Sequence, residues 1–171
     1  MKCAEYIALW LKTKVDYVFG VQGGAVVHLF DACERFGPKP IYCHHEQAAG
    51  FAAVAYARVK GYGVCITTTG PGSTNAITPL LGAWQDSIPC MFISGQVRSN
   101  QTSYGKPVRQ VGTQEAPILD IVRRMTKLDD DVYGGYVAEI FKAAYDESVG
   151  GRPGPVWLDI PQDVLWTELQ S

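Results

Sequence analysis

The chain has 171 residues, of which 47% are hydrophobic and 19% are charged, and its formal net charge is -2. This composition predicts one folded domain with its own core and excludes a disordered chain. It also argues against nucleic acid and membrane partners, because no basic cluster exceeds two residues and no apolar run approaches the ~20 residues of a membrane span.

Short apolar or β-branched runs alternate with segments of helical periodicity along the chain. In chain order they predict helix 2–13, strand 15–19, helix 25–36, strand 41–43, helix 46–60, strand 64–68, helix 73–84, strand 89–94, polar loop 95–117, a short element at 118–122, helix 132–148 and strand 155–160. The alternation predicts an α/β protein: a three-layer α/β/α fold with a mostly parallel, doubly wound sheet of about six strands. We expect one domain over residues 1–171, with a linker starting in the polar stretch 163–171.

One strand-to-helix junction carries the first candidate for chemistry. The stretch 43–50 reads Cys-His-His-Glu-Gln-Ala-Ala-Gly and places Glu46 in the first helical turn. Ligands of open α/β sheets bind at the carboxyl edge of the sheet, where such junctions lie. A carboxylate at this position also stabilises a helix N-terminus through the helix dipole. Spacing alone favours this second, structural interpretation.

Two glycine-rich turns are predicted at the same edge. Gly70-Pro71-Gly72 follows a strand and precedes a helix, a place where backbone N–H groups meet anions. The second turn, residues 20–24, lacks the spacing of a dinucleotide fingerprint, and the first lacks the Gly-Lys-Ser/Thr of a Walker loop. Each turn alone is more often a tight connection than a ligand site.

Other polar clusters have simpler interpretations. His44 and His45 leave a strand on opposite sides, so we expect no metal site there. Cys43 is expected to be inert, and the five cysteines, which have no CxxC spacing, predict reduced thiols in the cytoplasm. Residues 129–131, three consecutive aspartates, are predicted to form a solvated turn before a helix.

Several motifs occur in a fixed order over nearly the whole chain. They are Val18-Phe19-Gly20-Val21-Gln22-Gly23-Gly24-Ala25, His45-Glu46-Gln47-Ala48-Ala49, Tyr56-Ala57-Arg58, Thr69-Gly70-Pro71-Gly72-Ser73-Thr74-Asn75, Asp86-Ser87-Ile88-Pro89, Ile93-Ser94-Gly95-Gln96-Val97 and the run from Gly151 to Pro161. Together they resemble the N-terminal, pyrimidine-binding domain of thiamine-diphosphate enzymes of the acetolactate synthase and pyruvate oxidase group.

The resemblance implies roles for individual residues. Glu46 would hydrogen-bond the pyrimidine ring nitrogen and share a proton with it, and Gln114 would lie near the substrate as a second catalytic residue. The cofactor-binding residues implied in the same way are Gln22, Gly23, Gly24, Glu46, Thr68, Pro71 and Asn75. No residue of this chain is implied as a metal ligand.

The resemblance also implies that the active site needs a second, diphosphate-binding domain. Family members bind the diphosphate and Mg²⁺ through another domain with a Gly-Asp-Gly motif, which this sequence lacks. The chain is therefore expected to pair with a diphosphate-binding domain of the same or another chain, to form a homo-oligomer (dimer or tetramer), and to be inactive alone. Its enzyme would decarboxylate a 2-oxo acid and transfer or condense the acyl unit. The sequence leaves open whether the full enzyme carries FAD in a middle domain that is absent from this sequence.

Two alternatives to this function remain. The first is a non-catalytic binding or regulatory module that kept the fold, and the second is a flavodoxin-like nucleotide binder. Four residues at three sites also depart from the pattern usual in acetolactate synthases: Val21-Gln22 replaces Tyr-Pro, Arg98 replaces Pro, and Thr113 replaces Phe. The resemblance therefore leaves the 2-oxo acid and the acyl acceptor open.

Overall fold

The structure, a computed structural model, describes residues 1–133 and 135–169. Its strands are β1 (Tyr17–Gly20), β2 (Lys39–Tyr42), β3 (Gly63–Thr67), β4 (Cys90–Gln96), β5 (Asp129–Asp131) and β6 (Val156–Pro161). Within these residues they form one sheet, in the order β2-β1-β3-β4-β6-β5, and every neighbouring pair is parallel. The predicted fold class is confirmed.

Helices cover both faces of the sheet. They are α1 (Cys3–Lys12), α2 (Val27–Phe36), α3 (Glu46–Lys60), α4 (Pro71–Thr74), α5 (Ile77–Gln85), α6 (Ile118–Val122), α7 (Val137–Val149) and α8 (Gln162–Trp166). One core cluster joins the sheet to α1, α2, α7 and α8, and a second joins it to α3, α5 and α6. The central strands therefore bury alternate residues on opposite faces, which explains their nearly continuous apolar sequences.

The boundaries of α3 are those predicted from the sequence, because both ends carry local signals. The His45 side chain accepts a hydrogen bond from the Gln47 N–H at 3.1 Å and caps the N-terminus. At the other end Gly61 adopts a left-handed conformation, φ 91°, and its N–H bonds the Ala57 carbonyl. The N-terminal cap brings Glu46 to the carboxyl edge of the sheet.

The predicted solvated turn at residues 129–131 is wrong. These aspartates form the edge strand β5, in which Asp129 pairs with Trp157 and Asp131 pairs with Asp159 of β6. Charged side chains are common on edge strands because one side of the strand stays open to water. The following helix begins at Val137 instead of residue 132, and residue 134 of the predicted helix lies outside the described residues.

The single helix predicted over residues 73–84 is divided into α4 and α5. Ser73, a candidate N-cap of the predicted helix, lies inside α4: Gly70 precedes α4, and Pro71 occupies the first helical position. The Ser73 hydroxyl donates to the Thr68 carbonyl at 2.7 Å. This bond turns the chain sharply at the end of β3.

The segment predicted to begin a linker packs against the domain as far as Leu169. Val164 and Leu165 of α8 are buried, and the Leu169 N–H donates to the Met1 carbonyl at 3.0 Å. A linker over residues 163–171 stays a prediction, since residues 170 and 171 lie outside the described part of the chain. None of the described helices is long and apolar enough to cross a membrane.

Candidate active site

The candidate site lies at the carboxyl edge of the sheet. Because β1 to β4 are parallel, the connections that follow them meet at this edge. Gly23 follows β1, Glu46 follows β2, the turn at 68–75 follows β3, and Gln114 belongs to the long loop after β4. The topology therefore gathers residues that are distant in sequence.

Glu46 is half-buried at the first position of α3. Its Oε2 accepts a hydrogen bond from the Asn75 side-chain amide at 3.0 Å. The other oxygen, Oε1, lies 3.5 Å from the point where a Cβ on Gly72 would stand. Within residues 1–133 and 135–169, Oε1 accepts no hydrogen bond, so one carboxylate oxygen remains for a ligand.

Two glycines allow the chain to close around Thr68. A Cβ on Gly23 would stand 2.5 Å from the Thr68 Cβ, and one on Gly72 would stand 2.7 Å from the Thr68 methyl. Both distances are too short for any other residue, so these positions require glycine. A Cβ on Gly24 would meet nothing within 4 Å, which leaves open space on the outer side of the turn.

Gly70 and Gln114 form the other wall. Gly70 has φ 61°, and a Cβ there would stand 1.9 Å from the Gln114 carbonyl oxygen. Gln114 itself has φ 62°, a left-handed conformation that is uncommon for residues other than glycine. The loop after β4 is thus pressed against the turn after β3, and the Gln114 side chain is exposed beside it.

The loop that carries Gln114 is anchored by Glu115. The Ser103 N–H and hydroxyl donate to Oε1 of Glu115, and the Val111 N–H donates to Oε2 at 2.8 Å. Burial acts to raise the pKa of Glu115, but the hydrogen bonds from Ser103, Val111 and Gly112 outweigh it and hold the pKa below its usual value. The carboxylate stays ionised and ties the two ends of the loop together.

The predicted site residues fall into two groups. Gly23, Glu46, Thr68 and Asn75 are brought together around Gly72. The other predicted residues lie at the edge of this group. Gln22 and Pro71 are exposed, and Gln114 contacts Gly70 through its backbone. The Gly24 carbonyl accepts a hydrogen bond from the Gln162 side chain at 3.0 Å.

Among the described residues, the cysteines and histidines do not belong to a metal-binding cluster. In the part of the chain that the structure describes, no group of three or more His, Cys, Asp or Glu side chains could hold a metal ion. Burial raises the pKa of the Cys43 thiol, which keeps it protonated and unreactive. The other four cysteines, Cys3, Cys33, Cys65 and Cys90, are buried.

A buried polar network behind the site was not predicted. Its members are Thr69, Ser94, Gln96, Trp157 and Asp159. Burial raises the pKa of Asp159 to about 7, although its hydrogen bonds from Ser94 and Gln96 act in the opposite direction. The available sequence signal was polar residues inside two largely apolar strands, Ser94 and Gln96 in β4 and Asp159 in β6.

The arrangement suits a flat nitrogen heterocycle. The site offers one free carboxylate oxygen that can share a proton, and glycine backbone that a ring can approach closely. Asn75 holds the other oxygen of Glu46, so the carboxylate has a fixed orientation. These features fit the pyrimidine end of thiamine diphosphate.

Comparisons with known proteins identify the family of the chain. A sequence model of the "Thiamine pyrophosphate enzyme, N-terminal TPP binding domain" matches residues 1–123. The chain is 40% identical over 170 residues to the acetolactate synthase isozyme 2 large subunit of Escherichia coli, covering 96% of this chain and 29% of that protein. It is 42% identical over 166 residues to the acetolactate synthase large subunit of Haemophilus influenzae, covering 95% and 28%.

A eukaryotic relative shows the same pattern. The mitochondrial acetolactate synthase of Schizosaccharomyces pombe is 41% identical over 168 residues, covering 95% of this chain and 24% of that protein. The chain thus spans less than a third of the length of each of these relatives. It belongs to the thiamine pyrophosphate enzymes and carries their N-terminal TPP binding domain.

Proposed function

We propose that this chain is the pyrimidine-binding half of a thiamine-diphosphate enzyme that decarboxylates a 2-oxo acid and transfers or condenses the acyl unit. One observation carries the proposal. Glu46 presents a free carboxylate oxygen beside the glycine cradle, while Asn75 holds its other oxygen. The relatives, named as acetolactate synthases, support the same class of reaction.

Glu46 has the central role in this proposal. Thiamine diphosphate supplies, when bound, a carbon nucleophile that attacks the 2-oxo acid. Glu46 hydrogen-bonds the pyrimidine ring nitrogen and holds a proton at Oε1. Asn75 orients the carboxylate by occupying Oε2. General acid–base catalysis of this kind contributes about 10²–10⁴-fold to a rate.

The remaining site residues shape the pocket. Gly23 and Gly24 let the backbone approach the ring, and Thr68 fills the space between Gly23 and Gly72. Gln22 and Pro71 complete the cofactor-binding set at the rim. Gln114, on the opposite wall, contacts the 2-oxo acid.

The complete enzyme needs parts beyond this chain. A diphosphate-binding domain supplies the Mg²⁺ site, and homo-oligomerisation as a dimer or tetramer brings the two kinds of domain together. FAD belongs to the proposal only as an occupant of a further domain. The free cysteines fit a reducing compartment, which supports a cytoplasmic location.

Reconstitution tests the proposal. The chain is mixed with a diphosphate-binding domain of an acetolactate synthase, thiamine diphosphate, Mg²⁺ and a series of 2-oxo acids that begins with pyruvate. We expect CO₂ release only when both domains are present, and loss of that release with Glu46→Gln. Cofactor binding without CO₂ from any 2-oxo acid would favour the non-catalytic binding module.

A further inference from the structure

A series of hydrogen bonds connects the interior of the sheet with the site, and its donors converge on Asp159 from both ends. The Trp157 indole N–H donates to the Ser94 Oγ at 2.8 Å. An indole nitrogen can only donate, so the Ser94 hydroxyl accepts this bond and donates its own proton to Asp159 Oδ1. The buried end of the series therefore sets the direction of the Ser94–Asp159 bond.

The second oxygen of Asp159 fixes the Gln96 amide. Asp159 Oδ2 accepts from Gln96 Nε2 at 2.8 Å, so the NH₂ end of the amide faces the carboxylate. The same nitrogen donates to the Ala116 carbonyl at 3.1 Å. The amide oxygen consequently faces the other way, where it accepts from the Thr69 hydroxyl and the Val97 N–H, each at 2.9 Å.

The two ends of this amide hold the turn after β3 and the loop after β4. Thr69 precedes Gly70 in the turn after β3, and its hydroxyl lies 3.4 Å from the Gln114 carbonyl oxygen. Ala116 lies two residues beyond Gln114 in the loop after β4. Gln114 keeps its left-handed backbone, φ 62°, between these two attachments. Such a conformation persists only where the surroundings impose it.

We propose that Gln96 is a positioning residue: its amide, oriented by Asp159, sets the place of Gln114 opposite Glu46. The inference rests on the proposed function, in which Gln114 faces the 2-oxo acid. Gln96 and Asp159 are both buried and act through the loop, without touching the substrate. The loop conformation itself is independent of turnover and is measured directly.

Exchange of the amide and carboxylate side chains between positions 96 and 159 tests this orientation. In Asp159→Asn the new amide faces the Gln96 amide, so one buried N–H or O–H is left without an acceptor. In Gln96→Glu the new carboxylate faces the Asp159 carboxylate. We expect amide hydrogen exchange over residues 110–118 of the 171-residue chain to accelerate about tenfold or more in each variant. The double variant again opposes an amide and a carboxylate. Exchange there should return to about fivefold above the parent chain, because Ala116 still lacks its donor.

A smaller change covers the case in which a single variant does not fold. Thr69→Val removes only the hydroxyl between Gln96 and Gln114, and should accelerate exchange in the same segment. Thr126→Val is the matched control, because Thr126 is also buried and its hydroxyl bonds Val122 and Asp129, away from the loop.

The outcomes separate this inference from the proposed function. Exchange that is unchanged over residues 110–118 in Thr69→Val, or equal in Thr69→Val and Thr126→Val, overturns the positioning role. A folded double variant that exchanges as fast as the single variants also overturns it. The measurement uses the chain without cofactor, so an inactive reconstituted enzyme would contradict only the proposed function.

Discussion

Asn75 and Glu46, 29 residues apart in sequence, are joined by a hydrogen bond of 3.0 Å from the amide to Oε2. The bond links the end of α4 to the first turn of α3 across the carboxyl edge of the sheet. Its consequence is an oriented carboxylate with one oxygen occupied and the other free.

Asn75→Asp should lower the affinity of the site for thiamine diphosphate without unfolding the chain. The change replaces the amide donor by a second carboxylate beside Glu46, so the Oε2 bond is lost and the two charges repel. We expect the reconstituted enzyme to bind thiamine diphosphate about 10- to 100-fold less tightly, as the loss of a hydrogen bond to a charged group costs about 1.5–3 kcal/mol. Titration calorimetry measures the affinity.

The matched control is Gln85→Glu, which makes the same amide-to-acid change at an exposed residue at the end of α5. The unfolding midpoint should be similar in both variants, because both side chains are exposed. Equal affinities for the cofactor would show that the Asn75–Glu46 bond has no part in binding.

Gly23→Ala and Gly24→Ala should differ sharply although the residues are adjacent. The new Cβ at Gly23 would overlap the Thr68 side chain at 2.5 Å, whereas at Gly24 it would meet nothing within 4 Å. We expect Gly23→Ala to lower the free energy of unfolding by about 1–3 kcal/mol. Gly24→Ala should change it by less than about 0.5 kcal/mol.

Urea unfolding of the chain measures both values. The reconstituted enzyme adds a second distinction, because Gly24→Ala should still reduce cofactor binding if the open space there receives the ring. Equal stabilities for the two variants would contradict the close approach of Gly23 to Thr68.

Gly70→Ala should be more destabilising than Gly61→Ala, although both glycines have positive φ. The left-handed conformation of Gly61 costs an alanine about 1–2 kcal/mol, whereas Gly70, with ψ -119°, lies outside that region in a conformation that only glycine adopts readily. At Gly70 the Cβ would also stand 1.9 Å from the Gln114 carbonyl oxygen, while at Gly61 it meets nothing within 4 Å. Overpacking adds about 1–3 kcal/mol at Gly70 alone.

Chemical denaturation of the two variants, side by side, gives the difference. Amide exchange over residues 110–118 should accelerate in Gly70→Ala and stay unchanged in Gly61→Ala. Two variants with the same loss of stability would mean that the loop after β4 does not press on Gly70.

The stability of the chain should fall as the pH rises from about 4 to about 7. Burial raises the pKa of Asp159 to about 7 in the folded chain, and it returns to about 4 in the unfolded chain. Between these values the folded state binds a proton that the unfolded state does not, so raising the pH favours unfolding. Asp131, whose pKa burial also raises, adds to the slope.

Asp159→Asn removes the largest part of this dependence. The free energy of unfolding, measured by urea titration at a series of pH values, should be flatter between pH 4 and 7 than in the parent chain. A parent curve that rises with pH in this range would contradict the role of Asp159.

The fold was predictable where local signals decide it. The α3 helix has a polar cap at His45 and a glycine at position 61, and the buried strands have continuous apolar sequences. Strand β5 was missed because Asp129–Asp131 lacks any apolar pattern, and its pairing with β6 is a long-range backbone interaction. The start of α4 follows from Pro71, which suits the first helical position, whereas the division from α5 lies at Ala76, whose ψ of 2° departs from the helical value and is marked by no local pattern.

The sequence indicated which residues form the candidate site but not which contacts these residues make. The motifs around Glu46 and Gly70 indicated a cofactor pocket, and the parallel topology brings them together. The Thr69–Gln96 bond joins residues 27 positions apart, and no periodicity encodes it. The left-handed backbone of Gln114 likewise depends on contacts with another loop, so no local pattern around residue 114 could indicate it.

The turnover of Glu46→Gln in the reconstituted enzyme measures the catalytic role of Glu46. The measurement is CO₂ release from the best 2-oxo acid, with Glu139→Gln, a change at an exposed residue in the first turn of α7, as the matched control. We expect Glu46→Gln to lower kcat by about 10²–10⁴-fold while the chain stays folded, and Glu139→Gln to keep full activity. Near-normal turnover by Glu46→Gln would rule out this role.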